Sequence, residues 1–171
     1  MKVMKIIKAL LMLTFFSFFS VKAQISNPVK WKAKIQKKSS SEYILTFAGK
    51  LEKDWHLYSL ATPEGGPLPL EFTFLNSKGK YETVGKAKES ATTTTFNTLF
   101  EVNETYFTNN FTITQVIKVN NKLNTSIAVE LSYQICKEVC IPQKSYFEFD
   151  IPNLKAKEII KSKLKNKTIK S

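Results

Sequence analysis

The chain has 171 residues, with 26 lysines and arginines against 14 acids and a formal net charge of +12. Every basic residue is a lysine. Phosphate and base readers favour the forked guanidinium of arginine, so the composition argues against nucleic-acid binding.

The first 23 residues carry lysines at positions 2, 5 and 8, an apolar run from Ala9 to Val21, and then Val21-Lys22-Ala23 where a signal peptidase reads. That pattern is a secretory leader, with the mature chain starting at Gln24. The run falls short of the roughly 20 apolar residues that span a bilayer, and no later segment approaches that length, so no transmembrane span is expected in the mature chain. No cysteine stands at the cleavage point, so no lipid-modified N-terminus is expected. The leader holds four lysines and no acid, and the tail from Leu154 to Ser171 holds seven lysines against Glu158 alone. The body between them is therefore close to neutral. The tail reads as a solvated end or a weak contact with an anionic membrane surface.

After the leader, about 148 of the 171 residues remain, enough for one domain with a real core. Val29, Trp31, Ala33 and Ile35 alternate with Lys30, Lys32, Lys34 and Gln36, the pattern of a half-buried strand. The same period recurs at Tyr43, Leu45, Phe47 and Leu51; at Leu70, Phe72 and Phe74; at Phe111, Ile113, Ile117 and Val119; and at Ile127, Val129, Leu131 and Tyr133. A last strand runs from Ser145 to Asp150. Turn signals separate them: Glu64-Gly65-Gly66-Pro67, Asn76-Ser77-Lys78-Gly79, Asn109-Asn110 and Asn120-Asn121. Some seven to nine short strands predict an all-β antiparallel sandwich over residues 24–153. The Thr92 to Thr95 run reads as loop or strand edge. In the tail (154–171), Ile159, Ile160 and Leu164 have helical spacing among lysines, so a short helix or a frayed end is expected there.

The only two cysteines, Cys136 and Cys140, stand in "YQICKEVCIPQ". In an exported chain they can form one disulfide, with no choice of connectivity. Alternation places Cys136 on the wet face of Glu130, Ser132 and Gln134. Residues four apart in an extended strand lie about 13 Å apart, and a disulfide wants roughly 4.4 to 6.8 Å. Lys137-Glu138-Val139 must therefore turn tightly, with Pro142 helping to fix the exit. Closing so small a ring stabilises by only about 2 kcal/mol, which makes the pair a poor staple. A short ring at a strand end is also open to an attacking thiolate. From the residues alone the pair is either an exchanging couple or a structural bridge. A zinc site is short of ligands, because His56 is the only histidine, and no metal is expected. His56 itself reads as a partly buried structural residue, and no serine has a credible general base.

"YQICKEVCIP", preceded by "TSIAVELS", resembles the C-terminal part of the periplasmic N-terminal domain of DsbD, a transmembrane thiol:disulfide interchange reductase. Upstream, "DWHLYSLATPEGGPLPLEFTF" (Asp54 to Phe74) resembles the aromatic strand and Gly-Gly-Pro turn of that domain, notably in Bacteroidetes-like forms. The resemblance runs from Val29 to Asp150. It implies an immunoglobulin-like sandwich whose cysteine pair cycles between dithiol and disulfide, with Cys140 forming the mixed disulfide and Cys136 resolving it. It also implies an aromatic cap over the pair, for which Phe96, Leu99 and Phe100 are the candidates, with Trp55 and Tyr58 on the pocket floor. Core packing is the alternative for each of these aromatics. Implied partners are periplasmic thioredoxin-like proteins or disulfide isomerases, including cytochrome-maturation thioredoxins, and no cofactor is expected. The chain departs from its relatives in two ways: three residues separate its cysteines where several relatives have four or five, and Gln143 follows Pro142 where a proline or acid is common. It also carries no membrane bundle and no thioredoxin-like domain, so a separate membrane reductase is the expected electron donor. The expected location is periplasmic or secreted. The alternative function is a non-enzymatic exported binding module whose short disulfide shapes a loop.

Overall fold

The computed structural model describes residues 27–75, 77–120 and 125–162. Residues 1–26, 76, 121–124 and 163–171 lie outside the described residues. Eleven strands are described: β1 (Val29–Lys37), β2 (Glu42–Leu51), β3 (His56–Tyr58), β4 (Glu71–Leu75), β5 (Tyr81–Glu89), β6 (Thr93–Asn97), β7 (Val102–Thr108), β8 (Asn110–Val119), β9 (Ser126–Cys136), β10 (Cys140–Asp150) and β11 (Lys155–Ile159).

They form two antiparallel sheets, one of order β1-β2-β8-β5 and one of order β11-β10-β9-β3-β7-β6, with β4 also paired to β9. The architecture is the all-β antiparallel sandwich that the alternation implied, with the immunoglobulin-like character that the resemblance implied. Along β2 and β8 every second residue is buried, because successive side chains point to opposite faces. Leu45, Phe47, Ile113 and Ile117 from the small sheet meet Leu57, Phe107, Leu131, Ile135, Phe147 and Phe149 from the large one. Trp31 joins the layers by edge-on contacts to Phe111, Tyr133 and Phe147, with ring centroids 5.2, 5.6 and 5.8 Å away. Edge-on packing places positive ring edges against negative faces.

More strands form than alternation revealed. β5 and β6 are edge strands, the first rich in Lys and Glu and the second in Thr, and with solvent on one side neither needs an apolar stripe. β5 carries a bulge between Val84 and Lys88, with Gly85 at φ 67°. The buried Gln115 amide donates to the Val84 and Gly85 carbonyls at 3.3 and 3.2 Å, which satisfies groups the bulge takes out of the ladder.

The start of the tail differs from expectation. Residues Lys155–Ile159 are strand β11, paired with Tyr146–Asp150 of β10, where helical spacing suggested a helix or a frayed end. A short lysine-rich helix is marginal in isolation, whereas the strand gains the ladder along the β10 edge and packs Ala156 against the core. Leu164 lies outside the described residues.

Candidate functional site

β9 and β10 form one hairpin whose last paired residues are Cys136 and Cys140. Lys137-Glu138-Val139 make the turn that the disulfide required, and the two α-carbons stand 4.1 Å apart with the sulfurs bonded. That spacing matches the close, non-hydrogen-bonded kind of antiparallel pair, whose side chains meet on one face. The two cysteines differ sharply in access. Cys140 is exposed at the hairpin end, whereas Cys136 is only 3% exposed. Cys136 lies on the outer face, as alternation suggested, but it is not wet: β10 flanks it on one side and β3 on the other.

The register across β3 decides what surrounds it. His56 is directly opposite Cys136 on one side and Thr108 on the other, and Tyr58 is opposite Tyr106. With period-two alternation, His56, Tyr58, Tyr106 and Glu104 therefore share the outer face with the cysteines. Their side chains are hydrogen-bonded: His56 Nε2 lies 3.2 Å from the Tyr58 hydroxyl, which donates to Glu104 Oε2 at 3.4 Å. Asn97 Nδ2 donates to Glu104 Oε1 at 2.6 Å. The His56 ring sits against Tyr106 and Tyr58, at centroid distances of 4.8 and 5.2 Å. Burial lowers the His56 pKa from its ordinary value, and the nearby Glu104 carboxylate opposes that shift. Burial and Glu104 together push the Tyr58 hydroxyl up.

Of the residues singled out from sequence, Tyr58 shares the cysteine face, while Trp55, of opposite parity, packs against the core. Phe96, Leu99 and Phe100 lie around the β6–β7 turn and are all exposed. Asn97 Oδ1 accepts from the Leu99 and Phe100 amides and shapes that turn. Between this turn and the cysteine hairpin runs the Gly65–Leu68 segment. A methyl group added at Gly66 would meet Val102 at 2.8 Å and Phe100 at 3.9 Å, so glycine is what lets the two loops approach. At its other end the Leu68 amide donates to Gln134 Oε1 at 2.6 Å, one outward position from Cys136.

Two residues of the site escaped sequence reading. His56 looked structural because nothing local shows that β3 pairs with the end of β9. Glu104 is a buried carboxylate on a strand with little alternation. Among the described residues no three His, Cys, Asp or Glu side chains group as metal ligands do. A groove of about 390 Å³ lined by Leu68, Pro69, Tyr133 and Pro142 runs beside the hairpin. A larger one, about 640 Å³, lies at the far end of β9 and β10 around Ser126, Asp150 and Lys155, away from any cysteine.

An exposed sulfur bonded to a buried one at a hairpin end offers an incoming thiolate one accessible sulfur, which is chemically suited to disulfide exchange. Residues 23–151 match the family model described as thiol:disulfide interchange protein DsbD, N-terminal. Among solved structures, the N-terminal periplasmic domain of ScsB from Proteus mirabilis is similar in fold, with TM-score 0.58 and 16% identity. That match covers 77% of this chain and 49% of the other, so the chain spans about half the length of that relative. The reduced N-terminal domain of Neisseria meningitidis DsbD also matches, with TM-score 0.48 and 12% identity, over 76% of this chain and 90% of that one. No curated protein matches the chain in sequence.

Proposed function

The chain belongs to the DsbD N-terminal family of thiol:disulfide interchange domains, and from that premise we propose that Cys136 and Cys140 are its exchanging pair. The observation that carries this reading is their unequal access: Cys140 is exposed and Cys136 is 3% exposed, bonded to each other at a hairpin end. A docking thiol or disulfide reaches only Cys140.

In the reducing direction, the Cys140 thiolate attacks one sulfur of a partner disulfide and expels the other as a thiolate. Cys136 then attacks Cys140, re-forms the internal disulfide and releases the partner reduced. Two electrons pass to the partner, and a separate membrane reductase returns them to the chain. The partners are thioredoxin-like proteins or disulfide isomerases, cytochrome-maturation thioredoxins among them, in the compartment that the N-terminal leader addresses, the periplasm. Phe96, Leu99 and Phe100 are exposed around the turn at the Val102 end of β7, whereas Cys136 is level with Thr108 at the other end, so they would serve as an apolar cover only by moving toward the pair.

Replacing Cys136 with serine tests the order of attack. The Cys136→Ser chain, expressed with its leader in an exporting cell, accumulates mixed disulfides through Cys140, and the Cys140→Ser chain accumulates none. If neither variant traps a partner, the chain is an exported binding module with a structural bridge. A reduction potential below about −300 mV leads to the same conclusion, since bonds that stable resist exchange.

A further inference from the structure

His56 stands directly opposite Cys136 across the β3–β9 ladder. Directly opposed residues hold their Cβ atoms about 4.5–5.5 Å apart on the same face. Beyond His56 the hydrogen bonds run to Tyr58 and then to Glu104, which is 7% exposed and held from its other side by Asn97. These bonds determine where the protons sit. The single hydroxyl hydrogen of Tyr58 goes to the Glu104 carboxylate, so that hydroxyl can only accept from His56. The imidazole hydrogen is therefore on Nε2, which leaves the lone pair on Nδ1, the ring nitrogen nearer the backbone.

This arrangement goes beyond the cysteine pair and rests on the reading that Cys140 forms the mixed disulfide. We propose that His56 is the proton acceptor for Cys136 in the resolving step, with Tyr58 and Glu104 holding its ring and tautomer. As the mixed disulfide resolves, the Cys136 S–H bond breaks and its proton passes to His56 Nδ1. The freed sulfur forms its bond to Cys140 Sγ, the bond from Cys140 to the partner sulfur breaks, and that electron pair leaves on the partner thiolate. The two thiols of the chain are oxidised to a disulfide as the partner disulfide is reduced, and the imidazolium returns its proton to solvent or to the departing thiolate. Glu104 stabilises the transient positive charge through Tyr58.

The other titratable groups around His56 are Tyr106 from β7, Cys140 from β10 and the exposed Asp54 and Lys137 pair, 3.6 Å apart, at the entry to β3 and the exit from β9. None of these lies on the hydrogen-bonded path from His56 to Glu104. Burial keeps the His56 pKa below its ordinary 6.5, so the ring is neutral and able to accept a proton at neutral pH.

The test follows the reduced full chain reacting with 5,5′-dithiobis(2-nitrobenzoate) in stopped flow. The first thionitrobenzoate released reports mixed-disulfide formation and the second reports resolution by Cys136. The expected wild-type profile is a second-release rate that rises with pH through an inflection below 6.5. His56→Gln leaves the first release unchanged, slows the second by about 100-fold and abolishes the inflection. Tyr58→Phe keeps the ring packing, moves the inflection to lower pH because Glu104 loses its path to the imidazole, and serves where His56→Gln perturbs the fold. If His56→Gln resolves at the wild-type rate with the wild-type pH profile, the inference is overturned while the exchange reading stands. If the wild-type chain gives a first release but no second, both fall together.

Discussion

Gly49 on β2 is buried beneath the ring of Phe111, and a methyl group at that position would lie 2.2 Å from the tip of the ring. Phe111 cannot swing away, because it stacks on Phe107 at 4.4 Å and meets the edge of Trp31 at 5.2 Å. Gly49→Ala is therefore expected to destabilise the fold by about 1–3 kcal/mol, the usual cost of overpacking a filled core. Urea unfolding checks this as a lower midpoint with an unchanged slope. The same scale holds the asymmetry of the cysteines. Alternation identified the outer face for Cys136, but its burial comes from strands on both sides, which no stretch of sequence near residue 136 reveals.

At the scale of the element, the β9–β10 hairpin is held by eleven paired positions from Ser126 with Asp150 up to Cys136 with Cys140. The disulfide closes only the last and smallest ring of that ladder. Reducing it is expected to lower unfolding stability by about 2 kcal/mol or less, with far-ultraviolet circular dichroism unchanged. A much larger loss would mark the bond as a staple. The ladder is therefore expected to hold the hairpin's shape in both redox states, which exchange through Cys136 and Cys140 would require. β11 extends the same sheet: Tyr146 to Asp150 of β10 pair with it, and Lys157 reaches Glu148 at 3.2 Å. Its sequence, Lys-Ala-Lys-Glu-Ile, has too few apolar residues to announce a strand, because an edge strand needs only one face buried and borrows its ladder from its neighbour.

At the scale of the molecule, Glu89 ties the two sheets together. It ends β5 in the small sheet, and its Oε1 accepts from the Leu60 amide at 2.9 Å, just beyond β3 in the large sheet. Burial raises its pKa above the ordinary 4.5, and hydrogen bonds from Leu60 and Ser59 only partly oppose this. A folded-state pKa above the unfolded value means that the folded chain holds the proton more tightly. The corresponding stability is present below pH 4.5 and is lost as pH rises through the folded value. Glu89→Gln keeps an acceptor for Leu60 and removes the titration. Its urea midpoint is expected to fall less than that of the wild type between acid and neutral pH, and an identical pH dependence in the two chains would show that Glu89 contributes nothing.

Period-two alternation from Val29 to Asp150 was enough by itself to determine an all-β sandwich, because the faces of a strand are a local property of the chain. The spacing of Cys136 and Cys140 likewise determined that Lys137 to Val139 must turn if the sulfurs bond. Only the tertiary structure decided that β3 lies between β9 and β7, and with it that His56 opposes Cys136, that Tyr58 and Glu104 complete a hydrogen-bonded path, and that Trp55 belongs to the core. Register is set by partners far apart in sequence, and a shift of one residue would exchange His56 and Tyr58 for Trp55 and Leu57 on the cysteine face.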